Sequence, residues 1–245
     1  MRLLAISGKE RSCTRIIGAG ISRLLKRVGN MSVDTVKGGG PAAVLQARIS
    51  QIGALLFVLY LMPAAHLLWG ALTDALGANP VETLINDSGL WSLRLLWLTL
   101  GITPLRKLTG WHWLIRLRRV PALFCFFYAS LHLLLYLVFE QAFDFAAIAA
   151  DIMRKPYIAV GFAAMLMLVP LAVTSTDAMK RRLGGRNWRK LHRLTYAAAV
   201  ASAFHYLLLV KRDIASPAMY IVLLALLFWL RLVKLPPRAV RKEVP

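Results

Sequence analysis

Long apolar segments alternate with short polar segments along most of this chain. A transmembrane helix needs about 20 mainly apolar residues, and six runs are close to that length. In chain order they cover residues 49–72, 89–105, 120–139, 157–174, 191–210 and 217–233. The pattern predicts an all-α integral membrane protein whose domain, residues 49–233, is a bundle of six transmembrane helices.

Composition and charge agree with a membrane protein. The mean hydropathy is +0.60, and 58% of the residues are hydrophobic although the formal net charge is +20. A soluble domain of this length does not combine these values. The charge must therefore lie outside the apolar runs, where it favours contact with anionic lipid. We find no nucleic-acid-binding motif.

The distribution of Lys and Arg predicts the orientation in the membrane. Of the 31 basic residues, 26 lie in segments 1–48, 106–119, 175–193 and 231–245. Because basic residues collect in short cytoplasmic loops, both termini are predicted to be cytoplasmic. Residues 1–48, interrupted by GGGP at 38–41, are expected to form a flexible basic tail, with Met31 as an alternative start. Residues 234–245 are expected to form a second cytoplasmic tail.

Three histidines lie in the apolar runs or at their ends: His132, His192 and His205. Ionisable groups inside a membrane are functional candidates. His132 lies thirteen residues beyond Arg119 and His205 twelve beyond Arg193, so a helical rise places both roughly 18–20 Å into the membrane. Two facing imidazoles at one depth are what bis-histidine ligation of haem iron requires.

His192 lies near the cytoplasmic boundary, about 20 Å from His205 along the helix. It could hold a second haem with one protein ligand or another redox group, or it could be an interfacial anchor. His66, three residues after Pro63 in the first run, is expected to pack near a kink or to hydrogen-bond backbone that the proline frees.

Several motifs together resemble a known family. They are TPLR (103–106), LIRLRR (114–119), SLHLLLY (130–136), KPYIAVG (155–161), TSTDAM (174–179), LGGRNWRKLHRLTY (183–196) and FHYLLLVK (204–211). Over about residues 49–235 the chain resembles the MsrQ (formerly YedZ) haem-binding membrane subunits, within the ferric-reductase-like transmembrane superfamily. By this resemblance, His132, His192 and His205 are the expected haem ligands.

The resemblance implies an electron-transfer subunit of the bacterial inner membrane, with no substrate site of its own. Its cofactors would be one or two haems b, FMN and, as an alternative donor, quinone. Electrons would come from a cytoplasmic NAD(P)H flavin reductase or from the quinone pool. They would pass to a periplasmic molybdenum-containing methionine sulfoxide reductase, MsrP. The chain has no G-x-G-x-x-G sequence that would open a nucleotide-binding unit, which agrees with a separate donor.

Three arginines are candidate cofactor-binding residues. Arg94, near the outer end of the second run, would either snorkel to the surface or contact a haem propionate. Arg118 and Arg119 would bind the propionates of an inner haem or the phosphate of FMN, or belong to a solvated positive cluster.

The sequence is also compatible with two other functions. One is a stand-alone ferric or cupric reductase, which would release electrons to metal at the outer face. The other is a transporter or proton channel in which the histidines titrate instead of binding iron.

Overall fold

The computed structural model of the chain describes residues 41–210 and 214–233. Within these residues all regular elements are helical. They are α1 (Pro41–Leu72), α2 (Pro80–Thr109), α3 (Leu114–Leu117), α4 (Arg119–Leu135), α5 (Phe145–Arg154), α6 (Pro156–Val173), α7 (Asp177–Leu191), α8 (Leu194–Leu209) and α9 (Ala215–Leu232). A π-helical turn, Tyr136–Glu140, continues α4.

Four helical segments are long and apolar enough to cross a membrane. They are Val44–Leu72, Leu114–Glu140, Pro156–Val173 and Ala215–Leu232. α8 is apolar but has only 16 residues, and α2 has 30 residues but includes charged side chains such as Arg94. The chain is thus an all-helical, multi-pass membrane protein, and the count of six spans stays a prediction.

The first two helices extend beyond the apolar runs that predicted them. α1 begins at Pro41, eight residues before the predicted start, because a proline suits the first helical position and the following residues are good helix formers. α2 begins at Pro80, where the side chain of Asn79 accepts a hydrogen bond from the Glu82 amide. Most of the predicted tails, residues 1–40 and 234–245, lies outside the described residues.

The core of the bundle lies where α2 packs on α4 and α6 packs on α8. The chain divides into two units between Ala54 and Leu55, and this core lies in the second unit. Leu100, Tyr128 and Ala198 have no exposed surface. Small residues such as Ala198 and Ala199 allow neighbouring helices to approach closely. The helices are thereby fixed with the faces of α4 and α8 that carry histidines turned toward each other.

Tyr128 braces the first helix beside Pro63. Its hydroxyl donates to the carbonyl of Tyr60 over 2.7 Å and accepts from the amide of Ala64 over 2.9 Å. The hydroxyl thus stands between a carbonyl and an amide that would otherwise bond directly, which is a recognised cause of helix bending. The backbone contact expected of His66 is made by Tyr128, and His66 itself is exposed.

Candidate functional site

His132 and His205 face each other across the bundle. His132 is on α4 and His205 on α8, and the centroids of their rings are 6.0 Å apart with the ring planes at 78°. Both side chains are half-buried. The structure therefore brings together the two histidines that the sequence places at equal depth.

Each of these rings is held by one backbone carbonyl. Nδ1 of His132 lies 2.8 Å from the carbonyl oxygen of Ile85, and Nδ1 of His205 lies 2.7 Å from that of Tyr157. A carbonyl oxygen only accepts, so the hydrogen-bonded tautomer of each ring carries its proton on Nδ1. Nε2 of both rings then keeps its lone pair, which is the arrangement found in histidines that bind a metal.

A glycine faces each ring. A Cβ atom at Gly89 would lie 3.0 Å from Nδ1 of His132, and one at Gly161 would lie 2.8 Å from Nδ1 and Cε1 of His205. At 2.8 Å the His205 ring would have to shift, and at 3.0 Å the His132 ring would have to give by a few tenths of an ångström. Glycine at both positions leaves the rings in place. Sequence reasoning missed both glycines, because nothing in the chain before folding shows what lies across from them.

Each histidine ring is thus held by a carbonyl and faced by a glycine, and the spacing of these two residues is the same at both rings. The glycine follows the residue that supplies the carbonyl by four positions in both cases. Tyr157 and Gly161 follow Ile85 and Gly89 by 72 residues, and His205 follows His132 by 73. A comparison of the two halves of the sequence could have found this spacing, although the halves share little else by eye.

The distance between the two rings is the one expected for one metal held between two axial imidazoles. Metal–imidazole bonds are about 2 Å long, and the ring centre lies about 1 Å behind the nitrogen, so two axial rings have centroids about 6 Å apart. His132 and His205 meet this distance. The donor set of two neutral imidazoles is one that haem iron accepts.

His192 belongs to a different place. It ends α7, stacks on Trp188 with centroids 3.8 Å apart, and has Nδ1 3.1 Å from the Trp188 carbonyl oxygen. Residues 194–204 of α8 lie between His192 and His205. Throughout residues 41–210 and 214–233, no three His, Cys, Asp or Glu side chains come close enough together to hold a metal ion. The three predicted ligands therefore do not form one centre.

Arg94 and Arg119 each have a protein partner. Nε of Arg94 donates to the hydroxyl of Tyr220 over 3.2 Å, and its guanidinium lies 5.0 Å from the ring centroid of Trp91. Arg119 forms a 3.3 Å ion pair with Asp177, and both side chains are largely exposed.

Arg118 lies close enough to His192 and Arg231 to interact electrostatically with both. We call this part of the bundle, with Lys107, Arg118, Arg119 and α7, the basic end. The structure thus groups Arg118 with His192 and places neither beside His205.

The opposite end is acidic and carries a network around Asp151, on α5. This carboxylate accepts hydrogen bonds from Tyr136 over 3.1 Å, Gln141 over 2.8 Å and Lys155 over 2.9 Å. The hydrogen bond from Lys155 holds the pKa of Asp151 below its ordinary value, and the same bond raises the pKa of Lys155. The network joins the end of α4 to α5 and to the start of α6.

A protein-family model matches part of this chain. Residues 88–203 match the model of the family described as the ferric reductase like transmembrane component, so just under half of this chain is similar to that class of membrane protein. The matched range contains Gly89, His132, Gly161 and His192 and ends two residues before His205.

Individual relatives then define the family. The protein-methionine-sulfoxide reductase heme-binding subunit MsrQ of Azospira oryzae is 50% identical over 188 residues, which are 76% of this chain and 81% of the relative. The MsrQ of Rhodospirillum rubrum is 48% identical over 198 residues, 80% of this chain and 93% of the relative. That of Herminiimonas arsenicoxydans is 43% identical over 189 residues, 74% and 87% of the two chains. The chain belongs to the MsrQ family.

Proposed function

We propose that this chain is a haem b-binding, electron-transfer subunit of a methionine sulfoxide reductase system, and that His132 and His205 bind one haem iron from opposite sides. The observation that carries the proposal is the pair of rings 6.0 Å apart, each held through Nδ1. When bound, haem supplies a centre that accepts and releases one electron. The relatives named heme-binding subunits support this assignment.

The surrounding residues hold the two ligands ready. The carbonyls of Ile85 and Tyr157 fix the tautomer and the orientation of the rings, which makes Nε2 a better donor. Gly89 and Gly161 leave room for those orientations. Arg94 is proposed to contact a propionate, since the groups that it contacts among the described residues, the Tyr220 hydroxyl and the Trp91 ring, carry no negative charge.

A second cofactor is proposed at the basic end. The hydrocarbon layer is about 30 Å thick, so one haem cannot reach both faces. His192 has its Nδ1 hydrogen-bonded to a carbonyl, as His132 and His205 do. It is proposed to serve a second haem or FMN there, with Arg118 and Arg119 contacting propionates or the FMN phosphate.

The topology and partners follow from the same proposal. Six spans with both termini in the cytoplasm would place the basic end inside and the Asp151 network outside the bacterial inner membrane. The donor would be a cytoplasmic NAD(P)H flavin reductase acting through FMN, or quinone of the membrane pool. The acceptor would be a periplasmic, molybdenum-containing MsrP protein, so the chain would need no substrate site of its own.

Oxidation of the reduced protein tests this function. Purified protein is reduced anaerobically and mixed in a stopped-flow instrument with purified MsrP or with a ferric chelate. We expect fast oxidation by MsrP and slow oxidation by the chelate. The reverse order would favour the second candidate, a stand-alone ferric or cupric reductase, which the description of the matching family model supports. A protein without a Soret band would instead favour a transporter or proton channel.

A further inference from the structure

An apolar groove of about 520 Å³ runs along the outer side of α8, between α6 and α9. It is separate from the histidine pair described above. Its walls come from three helices and include Val160, Tyr196, Val200, Phe204, Leu208 and Phe228. Nearly all the surface that these residues give to the groove is apolar.

The length of the groove matches one leaflet of a bilayer. Tyr196 and Leu208 are twelve residues apart on α8, which corresponds to about 18 Å along a helix. One leaflet contributes about 15 Å of hydrocarbon, half of the usual core. An acyl chain lying along α8 would therefore fill the groove from one end to the other.

Positive charge collects where the groove reaches the basic end. Arg231 follows Phe228 by three residues, and its guanidinium lies 5.1 Å from the ring centroid of Tyr196. Arg231 donates to the hydroxyl of Tyr196 and, over 2.6 Å, to the carbonyl oxygen of Leu100. Nζ of Lys107 donates to the carbonyl oxygen of Arg231 over 2.9 Å.

Among the described residues, Lys107 and Arg231 contact only neutral groups. In the part of the chain that the structure describes, the ion pairs join Arg119 to Asp177 and Lys155 to Asp151. Lys107 and Arg231 take part in neither. The buried Nε of Arg231 has no hydrogen-bond partner, and Arg118 adds a repelling positive charge nearby. A negatively charged group at this point would relieve that repulsion.

We propose that the groove binds one anionic phospholipid, with an acyl chain along α8 and its phosphate group beside Lys107 and Arg231. The apolar walls recognise the chain, and the uncompensated cations at one end recognise the charge. A neutral quinone, or a second copy of this protein covering the groove, would leave those cations without a negatively charged partner.

Native mass spectrometry of the full-length protein tests this site. The protein is released from detergent after incubation with equal amounts of dioleoylphosphatidylglycerol and dioleoylphosphatidylcholine, which differ in net charge. We expect one retained lipid, with phosphatidylglycerol preferred. A basic residue near a membrane surface contributes a factor of about five in affinity for anionic lipid, so Lys107→Gln should reduce the preference about fivefold.

Two matched pairs of variants separate charge from shape. Arg186→Gln removes an exposed charge of α7 and should leave the preference unchanged, whereas Lys107→Gln reduces it. Val200→Phe fills the groove and should reduce retention of both lipids. Leu223→Phe places the same side chain at a residue of α9 that is as exposed as Val200 and outside the groove, and it should retain lipid.

Several results would overturn the proposal. One is equal retention of the two lipids by the unaltered protein, and another is an unchanged preference in Lys107→Gln. Displacement of the lipid by added ubiquinone would identify a quinone site. A lipid-free dimer would identify a second copy as the occupant. Because Lys107 is exposed, its variant should fold normally and remains decisive even if Val200→Phe does not.

Discussion

Gly161 lies directly against the ring of His205, so that a Cβ atom at residue 161 would be 2.8 Å from Nδ1 of the imidazole. The ring has little room to move away, because the same Nδ1 is bonded to the carbonyl of Tyr157 on the same helix. Gly89 has the corresponding relation to His132. The helix pairs α2–α4 and α6–α8 therefore set the orientation of the proposed haem ligands.

Gly161→Ala should weaken haem binding. Alterations that disturb the support of a metal ligand cost about 10- to 100-fold in affinity, and we expect a loss in this range for Gly161→Ala and a smaller loss for Gly89→Ala. Haem per polypeptide and the position of the Soret band measure the effect. Gly101→Ala is the matched control, because its Cβ would meet nothing closer than 3.8 Å and alanine favours a helix. Equal haem contents in all three variants would contradict the role of the glycines.

His192→Ala should leave most of the haem at the His132–His205 site, because the structure places His192 at the other end of α8. It should instead slow reduction by the cytoplasmic donor. Stopped-flow reduction by a flavin reductase with FMN measures this, and the optical spectrum monitors haem. Loss of all haem together with His192 would show that the proposal of two separate places is wrong.

Tyr128→Phe should destabilise the protein. It removes the hydroxyl that bonds both the Tyr60 carbonyl and the Ala64 amide, and a hydrogen bond contributes about 0.5–1.5 kcal/mol net to stability. Thermal unfolding in detergent, followed by circular dichroism, should show a lower melting temperature. Tyr60→Phe is the control, since it removes a hydroxyl nearby and keeps the backbone contact. An unchanged melting temperature for Tyr128→Phe would count against the bracing role.

Acid should weaken the Asp151 network. The pKa of Asp151 in the folded protein lies below its unfolded value of 3.8. Its contribution to stability is therefore fully present above pH 4 and is lost as the pH falls through the folded pKa. The melting temperature of Asp151→Asn should fall less steeply below pH 4 than that of the unaltered protein. Asp74→Asn, at an exposed position, should keep the unaltered slope, and identical slopes in all three proteins would refute the prediction.

The sequence predicted the helical membrane class and the pairing of His132 with His205 well, because hydropathy and helical rise both follow from local spacing. It predicted the helix ends poorly. The residues that extend α1 and α2 before the apolar runs, 41–48 and 80–88, include polar side chains such as Gln46 and Glu82, and α2 begins at Pro80 with Asn79 as its N-cap.

The contacts that support the site could not be predicted in this way. Ile85, Gly89, Tyr157 and Gly161 matter because of what lies opposite them after packing, over separations of 43 to 48 residues. His66, which is near Pro63 in sequence, is one candidate for a hydrogen bond to the backbone there and also a candidate for packing at the kink, whereas the structure supplies Tyr128 from another helix for the hydrogen bond. Spacing along one helix carries no information about such partners.

Haem content of two histidine variants tests the central claim most directly. His132→Ala and His205→Ala are expressed beside His66→Ala, whose histidine is exposed on α1, and haem per polypeptide is measured by the pyridine haemochrome method. We expect His132→Ala and His205→Ala each to lose most of the haem, because each leaves the iron with one axial ligand, and His66→Ala to keep it. Full haem content with an unchanged spectrum in either of the first two variants would contradict the assignment.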